Sequence, residues 1–351
     1  MNKVSEYQIA GRPIGTQYAP YVIAEMSANH NGNLSKALQL IRVAKECGAD
    51  AVKIQTYRAD TITLNSDSPE FMIKGGLWDG KSLYKLYEEA HTPWEWHREM
   101  FAYAAEQGIT MFSSPFDTTA VDLLEDLNAP AYKIASFEAI DLPLIRYVAS
   151  TRKPMIISTG MADAEEIQEA VDAARAGGCT QLALLHCVSG YPAPAADYNL
   201  RTIPDMIKRF GVLTGLSDHT LDNTTAIASI ALGACIIEKH FTLDRNDGGP
   251  DDSFSLQPDE LEQLCNGTKT AWQAMGDVDY GRKSSEIGNA QFRRSLYFVK
   301  PMKVGEIITA EHIRSVRPGF GLPPKYFDSL LGRKVRRNIE ANTAVRQEDL
   351  D

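Results

Sequence analysis

Two histidines end neighbouring strand-like runs in the segment 215–241. The runs LTGLSDH (213–219) and CIIEKHF (235–241) carry His219 and His240, and a helix-like stretch separates them. Two imidazoles with a nearby carboxylate and open positions suit a divalent metal ion that holds water and a substrate oxygen. A lone histidine in a strand is more often a buried structural residue. The matched positions of this pair favour the metal site.

A second group of polar side chains has the composition of an anion-binding site. Lys53 and Lys133 lie inside apolar runs, although a lysine there can also point outward and pair with a helix acid. Together with serines at the run ends, they predict a cradle for a phosphate or carboxylate, because lysine supplies charge and serine supplies orienting donors. No P-loop or G-x-G-x-x-G segment occurs, so nucleotide binding is not indicated. The other polar residues within or just after the runs are Glu25, Asn29, His30, Gln55, Ser113, Ser114, Ser136, Glu138, Ser158, Thr159, His186, Ser189, Tyr191, Ser217, Asp218, Glu238 and Lys239.

Eight short apolar runs rich in β-branched residues must position these side chains. Amphipathic segments such as 34–50 and 164–178 lie between them, and this alternation predicts repeated βα units with a parallel sheet. Eight such units match a (β/α)8 barrel, in which active sites lie at the carboxyl ends of the strands. The polar run ends would therefore meet at one mouth. The runs span residues 21–26, 51–57, 110–116, 131–136, 154–160, 182–188, 213–219 and 235–241.

The chain divides into three parts by pattern. Residues 1–275 are predicted to form the barrel catalytic domain, 276–290 a polar linker and 291–351 a compact, mostly β module. The last part has twelve Lys and Arg against seven Asp and Glu, so a basic module follows an acidic barrel. Between the second and third runs, the aromatic-rich stretch 68–100 is longer than one crossover helix. It could cover the barrel mouth as a substrate lid or pack its own small core.

Composition excludes several classes of protein. The net charge of −10 argues against a nucleic-acid partner, whose phosphates need a cationic surface. No apolar run is long enough to span a membrane, and the N-terminal stretch MNKVSEYQIAGRPIG lacks the apolar core of a signal peptide, so we expect a cytoplasmic protein. The five cysteines are odd in number and scattered, which predicts reduced thiols rather than a disulfide framework.

Ordered motifs along the chain resemble the sialic acid synthase family. These are phosphoenolpyruvate-dependent nonulosonate synthases, which condense phosphoenolpyruvate with an N-acetylated amino sugar. The resemblance implies a transferase with a (β/α)8 TIM barrel followed by a small, mostly β antifreeze-like (SAF) C-terminal domain. It rests on IAEMSANHNG, KIQTY, SSPFD, YKIAS, STGM, LLHCVSGYP, GLSDHT and EKHFTLD in the barrel, and on RSLYFVKPMKVGE and VRPGFGL in the tail.

The insertion IKGGLWDGKSLYKLYEEAHTPWEW is more similar to the pseudaminic acid synthase branch than to the N-acetylneuraminate branch. This resemblance implies 2,4-diacetamido-2,4,6-trideoxy-L-altrose as the acceptor and pseudaminic acid as the product. The chain departs from the sialic acid branch in CVSGYP, where Ser189 replaces the asparagine of C-T-N-x-Y-P. The substrate contact made at Ser189 is therefore in question.

The resemblance also implies roles for single residues. His219 and His240 would bind a divalent metal: Mn2+, Mg2+ or Co2+. Glu25 or Glu138 would stabilise the positive charge that develops at C2 of phosphoenolpyruvate, or act as the base. Arg317 would reach from the tail domain into the barrel of a second subunit, which implies a homodimer. Phosphoenolpyruvate would contact Lys53, Ser114, Lys133, Ser136, Ser158 and Ser217, and the sugar would contact Glu25, Gln55, Glu138, Tyr191 and Asp251.

Three alternative functions stay open at this stage. An N-acetylneuraminate or legionaminate synthase would share the mechanism and differ in the acceptor sugar. A Schiff-base aldolase would use Lys133 or Lys53 as a nucleophile and would need no metal. A non-catalytic sugar-binding barrel would retain the pocket without turnover.

Overall fold

The computed structural model describes residues 7–351. Residues 1–6 lie outside the described residues. They are the first residues of the predicted barrel domain and of the stretch that lacks a signal-peptide pattern. The chain forms two compact units that divide between Gly276 and Asp277.

The first unit contains a closed barrel of eight parallel strands, which confirms the predicted fold class. A short hairpin precedes it, with strands β1 (Tyr7–Ile9) and β2 (Arg12–Ile14). Each barrel strand falls within one of the eight predicted runs, and β10 pairs with β3 to close the barrel. The barrel strands are β3 (Tyr21–Glu25), β4 (Ala51–Thr56), β5 (Thr110–Pro115), β6 (Tyr132–Ile134), β7 (Met155–Ser158), β8 (Leu182–Cys187), β9 (Leu213–Ser217) and β10 (Ile236–His240).

Helices cover the outside of the barrel and bury their apolar faces against it. For example, α1 (Leu34–Glu46) begins after Asn33, whose side chain accepts a hydrogen bond from the backbone N–H of Lys36, and buries Leu40 and Ile41. The remaining helices of the unit are α2 (Ala59–Ile62), α3 (Leu83–Ala90), α4 (Trp94–Gln107), α5 (Thr118–Asp126), α6 (Leu142–Ser150), α7 (Ala164–Ala176), α8 (Thr202–Phe210), α9 (Thr224–Ile230) and α10 (Pro258–Met275).

The barrel interior has an apolar floor at the amino ends of its strands. Tyr7 and Ile9 of the hairpin pack in one buried cluster with Ile23, Phe112 and other inward-facing strand residues. The hairpin therefore closes the barrel at the end opposite the mouth.

The connection between β4 and β5 contains three α-helices, α2, α3 and α4. A 3-10 turn at Pro69–Phe71 and helix α3 precede α4, which is the crossover helix to β5. This explains why the stretch exceeds the length of one βα connection.

The second unit has a core of its own. Strands β11 (Ser295–Phe298), β12 (Ile313–Val316) and β13 (Thr343–Ala344) form an antiparallel sheet in the order β12, β11, β13. A buried cluster that includes Phe298 and Ile339 packs within this unit, and a short helix α11 (Phe327–Leu330) follows β12. Ahead of the sheet, Ser284–Phe292 forms a 3-10 helix. Across residues 7–351, no helix combines the length and apolar character that crossing a bilayer requires.

Candidate active site

Strand alternation decides which side chains enter the barrel mouth. Residues two apart in a strand share a face, and in six strands an inward apolar residue of the floor is followed by an inward polar residue nearer the mouth. The pairs are Ile23 and Glu25, Ala51 and Lys53, Phe112 and Ser114, Ala131 and Lys133, Ile156 and Ser158, and Ile236 and Glu238. The predicted polar strand ends therefore share one space.

One side of this mouth, here named the lysine half, consists of Lys53, Lys133, Glu25, Glu238 and Ser114. Lys53 Nζ lies 2.7 Å from Glu25 Oε2 and donates to Ser114 Oγ at 3.1 Å. Glu238 lies between the two lysines, 3.8 Å from Lys53 Nζ and 3.5 Å from Lys133 Nζ. The four charged side chains are 1–6% exposed, so these charges face one another away from water.

Burial sets the protonation preferences of this half. It raises the pKa of Glu25, although Lys53 opposes the shift, and it lowers the pKa of Lys133 against the attraction of Glu238. For Glu238, burial is outweighed by Lys133 and Lys53, so its pKa is lowered. Glu25 is thus the carboxyl group of this half that most readily holds a proton.

A hydrogen-bonded chain leads from the lysine half to the histidines. Gln55 Nε2 donates to Glu25 Oε1 and to Ser27 Oγ, both at 3.0 Å. Ser27 Oγ donates to Asp251 Oδ2 at 2.5 Å, and this carboxylate oxygen lies 3.8 Å from His240 Nδ1. The predicted sugar-contacting residues Glu25, Gln55 and Asp251 are therefore brought together in one network.

The other side, here named the histidine half, consists of His219, His240, Tyr191 and Asp251. The imidazole centroids lie 5.5 Å apart, and the Tyr191 ring lies 4.4 Å from His219 and 6.1 Å from His240. Burial and the nearby cationic groups hold the pKa of His240 well below its ordinary value. Burial also acts to lower the pKa of His219, but contacts with Cys187 and the Val188 carbonyl outweigh it and raise that pKa.

The donor set of this half fits a divalent metal ion with open positions. His219 Nδ1–H donates to the Val188 carbonyl at 2.8 Å, which leaves its Nε2 lone pair available, although a metal there would compete with a proton. Within residues 7–351, the buried Nδ1 of His240 has no hydrogen-bond partner. The same residues contain no group of three His, Cys, Asp or Glu side chains placed to hold a metal. Two imidazole nitrogens would therefore share the ion with water and substrate oxygens.

Hydroxyl groups gather at the ends of β7 and β8. Ser136 Oγ accepts from Gly160 N at 3.2 Å and donates to Cys187 Sγ at 3.4 Å. A Cβ on Gly160 would lie 2.2 Å from Ser189 Oγ, so only glycine allows this approach. Among the described residues, the buried hydroxyls of Ser158 and Ser189 lack partners, and both are free to bind a ligand oxygen. Ser217 Oγ instead donates to Glu238 Oε1 at 3.2 Å.

Two predicted site residues, Glu138 and Arg317, take no part in the hydrogen bonds and ion pairs described above. Glu138 lines a cavity of about 500 Å³ with Phe116, Phe137 and Ile140, and burial raises its pKa to about 7 although Lys133 opposes the shift. Arg317 is exposed in the C-terminal unit directly after β12.

An ion pair on the outer face of the barrel wall joins the strand ends that carry the histidines. Lys239 Nζ donates to Asp218 Oδ2 at 3.0 Å and to the carbonyls of Thr220 and Asp222 at 2.7 and 2.9 Å. Asp218 precedes His219 and Lys239 precedes His240. The pair thus joins the residues that directly precede the two histidines.

The NeuB family model matches residues 40–280, which is more than half of the chain. The chain belongs to the NeuB family. A second model, for the SAF domain, matches residues 293–351 in the C-terminal unit. The predicted family and the predicted tail domain are both confirmed.

Three relatives of this NeuB chain are named as sugar acid synthases. The chain is 44% identical over 329 residues to pseudaminic acid synthase of Campylobacter jejuni, covering 94% of this chain and 96% of that protein. Identity to the Helicobacter pylori pseudaminic acid synthase is 41%, with 95% and 98% covered. N,N'-diacetyllegionaminic acid synthase of C. jejuni is 36% identical, with 93% and 98% covered.

A solved structure supports the fold. It is the spore coat polysaccharide biosynthesis protein SpsE of Bacillus subtilis, with a TM-score of 0.68 and 34% identity over 99% of both chains.

Three residues of the NeuB site escaped the sequence-based assignment of roles. Glu238 stood among the polar strand ends without a role, yet it bridges the two lysines. Its position two residues before His240 was the available signal, because the two share a face. Ser27 and Cys187 carry no comparable pattern, and only the folded chain shows their contacts.

Proposed function

We propose that the protein is a pseudaminic acid synthase. In the proposed reaction, C3 of phosphoenolpyruvate bonds to the aldehyde carbon of 2,4-diacetamido-2,4,6-trideoxy-L-altrose. Water adds at C2, and the C2–O bond to phosphate breaks. The products are pseudaminic acid and inorganic phosphate.

The main support for the proposed type of reaction is that a lysine pair and a histidine pair lie together at one barrel mouth. Lys53 and Lys133 give the charge needed for a phosphate and a carboxylate, and the unpartnered hydroxyls of Ser158 and Ser189 add donors. His219 and His240 would hold the divalent metal, which when bound would polarise the sugar aldehyde. A simple sugar-binding site needs no such concentration of buried charge.

The choice of acceptor sugar is supported by the relatives. Identity is higher to the two pseudaminic acid synthases, 44% and 41%, than to the C. jejuni legionaminic acid synthase, at 36%. The legionaminate acceptor shares the two acetamido groups and differs in ring configuration, so it is the closest alternative.

Residues of the chain account for the proton transfers of the proposed reaction. Glu25 lies between Lys53 and Gln55 and has a raised pKa, so its carboxyl can give a proton to the aldehyde oxygen as the carbon–carbon bond forms. The resulting carboxylate stabilises positive charge at C2 and then accepts a proton from the attacking water. The lysines stabilise the departing phosphate.

We also propose a homodimer in which Arg317 completes the barrel of the partner subunit. An acidic barrel and a basic tail attract each other, and exposed apolar side chains follow several strands on the mouth side. These are Leu64, Phe137, Ile140, Met161 and Leu221. The cytoplasmic location stays a prediction.

Mixing two inactive variants tests this dimer. In a mixture of Glu25→Gln and Arg317→Ala chains, heterodimers that exchange tails contain one intact barrel with one intact arginine. Activity should therefore return on mixing. A dimer that stays inactive after subunit exchange would contradict the exchange of Arg317.

The proposed reaction is tested by phosphate release from phosphoenolpyruvate in the presence of Mn2+, Mg2+ or Co2+. The altrose-configured sugar, the legionaminate precursor and N-acetylmannosamine are compared, each with and without chelator. Metal-dependent release with the altrose sugar alone is the expected result. Preference for another sugar would move the protein to a sister branch, and no release with any sugar would favour a binding protein.

Borohydride treatment during turnover separates the Schiff-base alternative. Lys133, whose pKa is lowered, would be trapped as a secondary amine only if an imine forms. The proposal expects no covalent adduct and full loss of activity in chelator.

A further inference from the structure

The insertion between β4 and β5 contacts the barrel mouth through Trp78. The half-buried indole donates its Nε1–H to the Pro250 carbonyl at 3.2 Å, and its ring lies 6.1 Å from the ring of Tyr191. Tyr191 belongs to the histidine half. Trp78 therefore links the insertion to the part of the mouth that faces the proposed acceptor sugar.

The backbone that receives this hydrogen bond is held firmly. Asp252, two residues after Pro250, accepts from Asn31 Nδ2 at 2.9 Å, from Gly249 N at 2.8 Å and from Thr242 Oγ1 at 2.5 Å. Asp251 accepts from Ser27 at 2.5 Å. The Pro250 carbonyl is thus a fixed point, and Trp78 is positioned by it.

Aromatic rings continue from Trp78 into the mouth. Tyr191 lies 5.4 Å from Phe254, and Phe254 lies 5.0 Å from His240. Trp78 is the member of this series that comes from the insertion. An aromatic wall of this kind suits apolar sugar groups such as a 6-deoxy methyl or an acetamido methyl, while the neighbouring carboxylates bind hydroxyls.

We infer that Trp78 is a specificity-determining residue, and that its indole forms the wall against which the apolar groups of an N-acetylated deoxy sugar pack. This inference rests on the proposed function, because it assigns the acceptor to the histidine half. It predicts that the insertion acts on sugar selection and leaves phosphoenolpyruvate binding to the lysine half.

Trp94 offers a matched control in the same stretch. It is also half-buried, and its Nε1–H donates to the Tyr57 carbonyl at 3.2 Å, but its ring faces the Arg58 guanidinium at 4.1 Å. Trp78→Ala and Trp94→Ala therefore remove the same side chain with the same kind of hydrogen bond. They differ in the ring partner, which is Tyr191 of the histidine half for Trp78 and Arg58 for Trp94.

The test measures KM for the sugar and KM for phosphoenolpyruvate in both variants of the full-length protein. Trp78→Ala should raise the sugar KM about tenfold and change the phosphoenolpyruvate KM less than about twofold. Trp94→Ala should leave both KM values unchanged. Trp78→Ala should also reduce the ratio of kcat/KM for deoxy sugars to kcat/KM for N-acetylmannosamine. Equal effects of the two substitutions, or a parallel rise of both KM values, would overturn the inference.

A second measurement covers the case in which Trp78→Ala does not fold. Wild-type protein should show a change in tryptophan emission when the sugar binds, and its absence would contradict the assignment. Trp78→Phe keeps an aromatic ring, so it should retain most of the sugar preference while losing that change. An emission change that is identical in wild type and Trp78→Phe contradicts the assignment. Failure of the proposed function is seen separately, as absence of phosphate release by the wild-type protein with every sugar.

Discussion

The two halves of the barrel mouth differ in what surrounds their ionisable side chains. In the lysine half, every charged group has an opposite charge within 3.8 Å. In the histidine half, aromatic rings surround the imidazoles, and His240 Nδ1 is buried without a hydrogen-bond partner among residues 7–351, with the Asp251 carboxylate 3.8 Å away.

This difference indicates two ways of preparing a site. The carboxylates of Glu25 and Glu238 hold the lysines in place before an anion enters, so little rearrangement is needed on binding. The histidine half reaches its full set of contacts only when a ligand supplies them. We therefore expect substitutions in the two halves to affect different substrates.

The largest effect should come from removing a lysine of the lysine half. Lys133→Met deletes a buried cation, so kcat/KM for phosphoenolpyruvate should fall about thousandfold. Steady-state kinetics check this result. Lys153→Met, which removes a partly exposed lysine paired with Glu125, is the control and should behave as wild type. A normal phosphoenolpyruvate KM and kcat in Lys133→Met would remove the lysine half from the substrate site.

His240→Ala should show that the histidine half, and not the lysine half, binds the metal. It removes one of the two proposed metal ligands, so affinity for Mn2+ should fall about a hundredfold and turnover should fall with it. Titration of free Mn2+ by electron paramagnetic resonance measures the affinity directly. The control is His312→Ala in the C-terminal unit. Unchanged Mn2+ binding in His240→Ala would place the metal elsewhere.

The outer ion pair should matter for the histidine half as well as for stability. Lys239→Met leaves Asp218 buried without its cation, which should lower the free energy of unfolding by about 3 to 5 kcal/mol. Adding Asp218→Leu removes the uncompensated charge and should restore much of that loss. Mn2+ affinity should fall in both variants, since neither retains the link behind the histidines. Restored stability with fully restored metal affinity would limit the pair to a structural role.

Glu138 should give the smallest effect, through the pH dependence of stability. Its pKa is raised from 4.5 to about 7, so the folded protein holds a proton that the unfolded chain has lost in that window. The free energy of unfolding should therefore fall as pH rises from about 4.5 to 7, by at most about 3 kcal/mol from this group. Urea unfolding at pH 5 and pH 8 should show a smaller decline in the free energy of unfolding for Glu138→Gln than for wild type. Exposed Glu169→Gln is the control, and an equal decline in all three proteins would contradict the shift.

Much of the barrel could be predicted because its signals are local. Each strand is a short β-branched run between helical segments, and the polar residue near its end stands two positions after an apolar one, as for Ile236 and Glu238. The hairpin at Tyr7–Ile9 and Arg12–Ile14 was not predicted, because three-residue strands are too short to show a period.

The contacts between distant segments could not be derived from sequence. Lys239 looked like one more polar strand end, and only the register of β9 and β10 shows that it pairs with Asp218 outside the mouth. Trp78 was recognised as part of an aromatic stretch, but its position depends on a hydrogen bond to Pro250, 172 residues away. No local pattern encodes such a pair.

Successive side chains of β10 face opposite sides of the barrel wall, so the number of residues in this strand decides which of them reach the mouth. Glu238 and His240 face the mouth while Lys239 between them faces the helices. Deleting one residue upstream within this strand would exchange the two faces and put the lysine where the carboxylate and imidazole belong. The β4–β5 insertion can therefore vary in length away from Trp78, whereas β10 cannot gain or lose a residue without moving Glu238 and His240 out of the mouth.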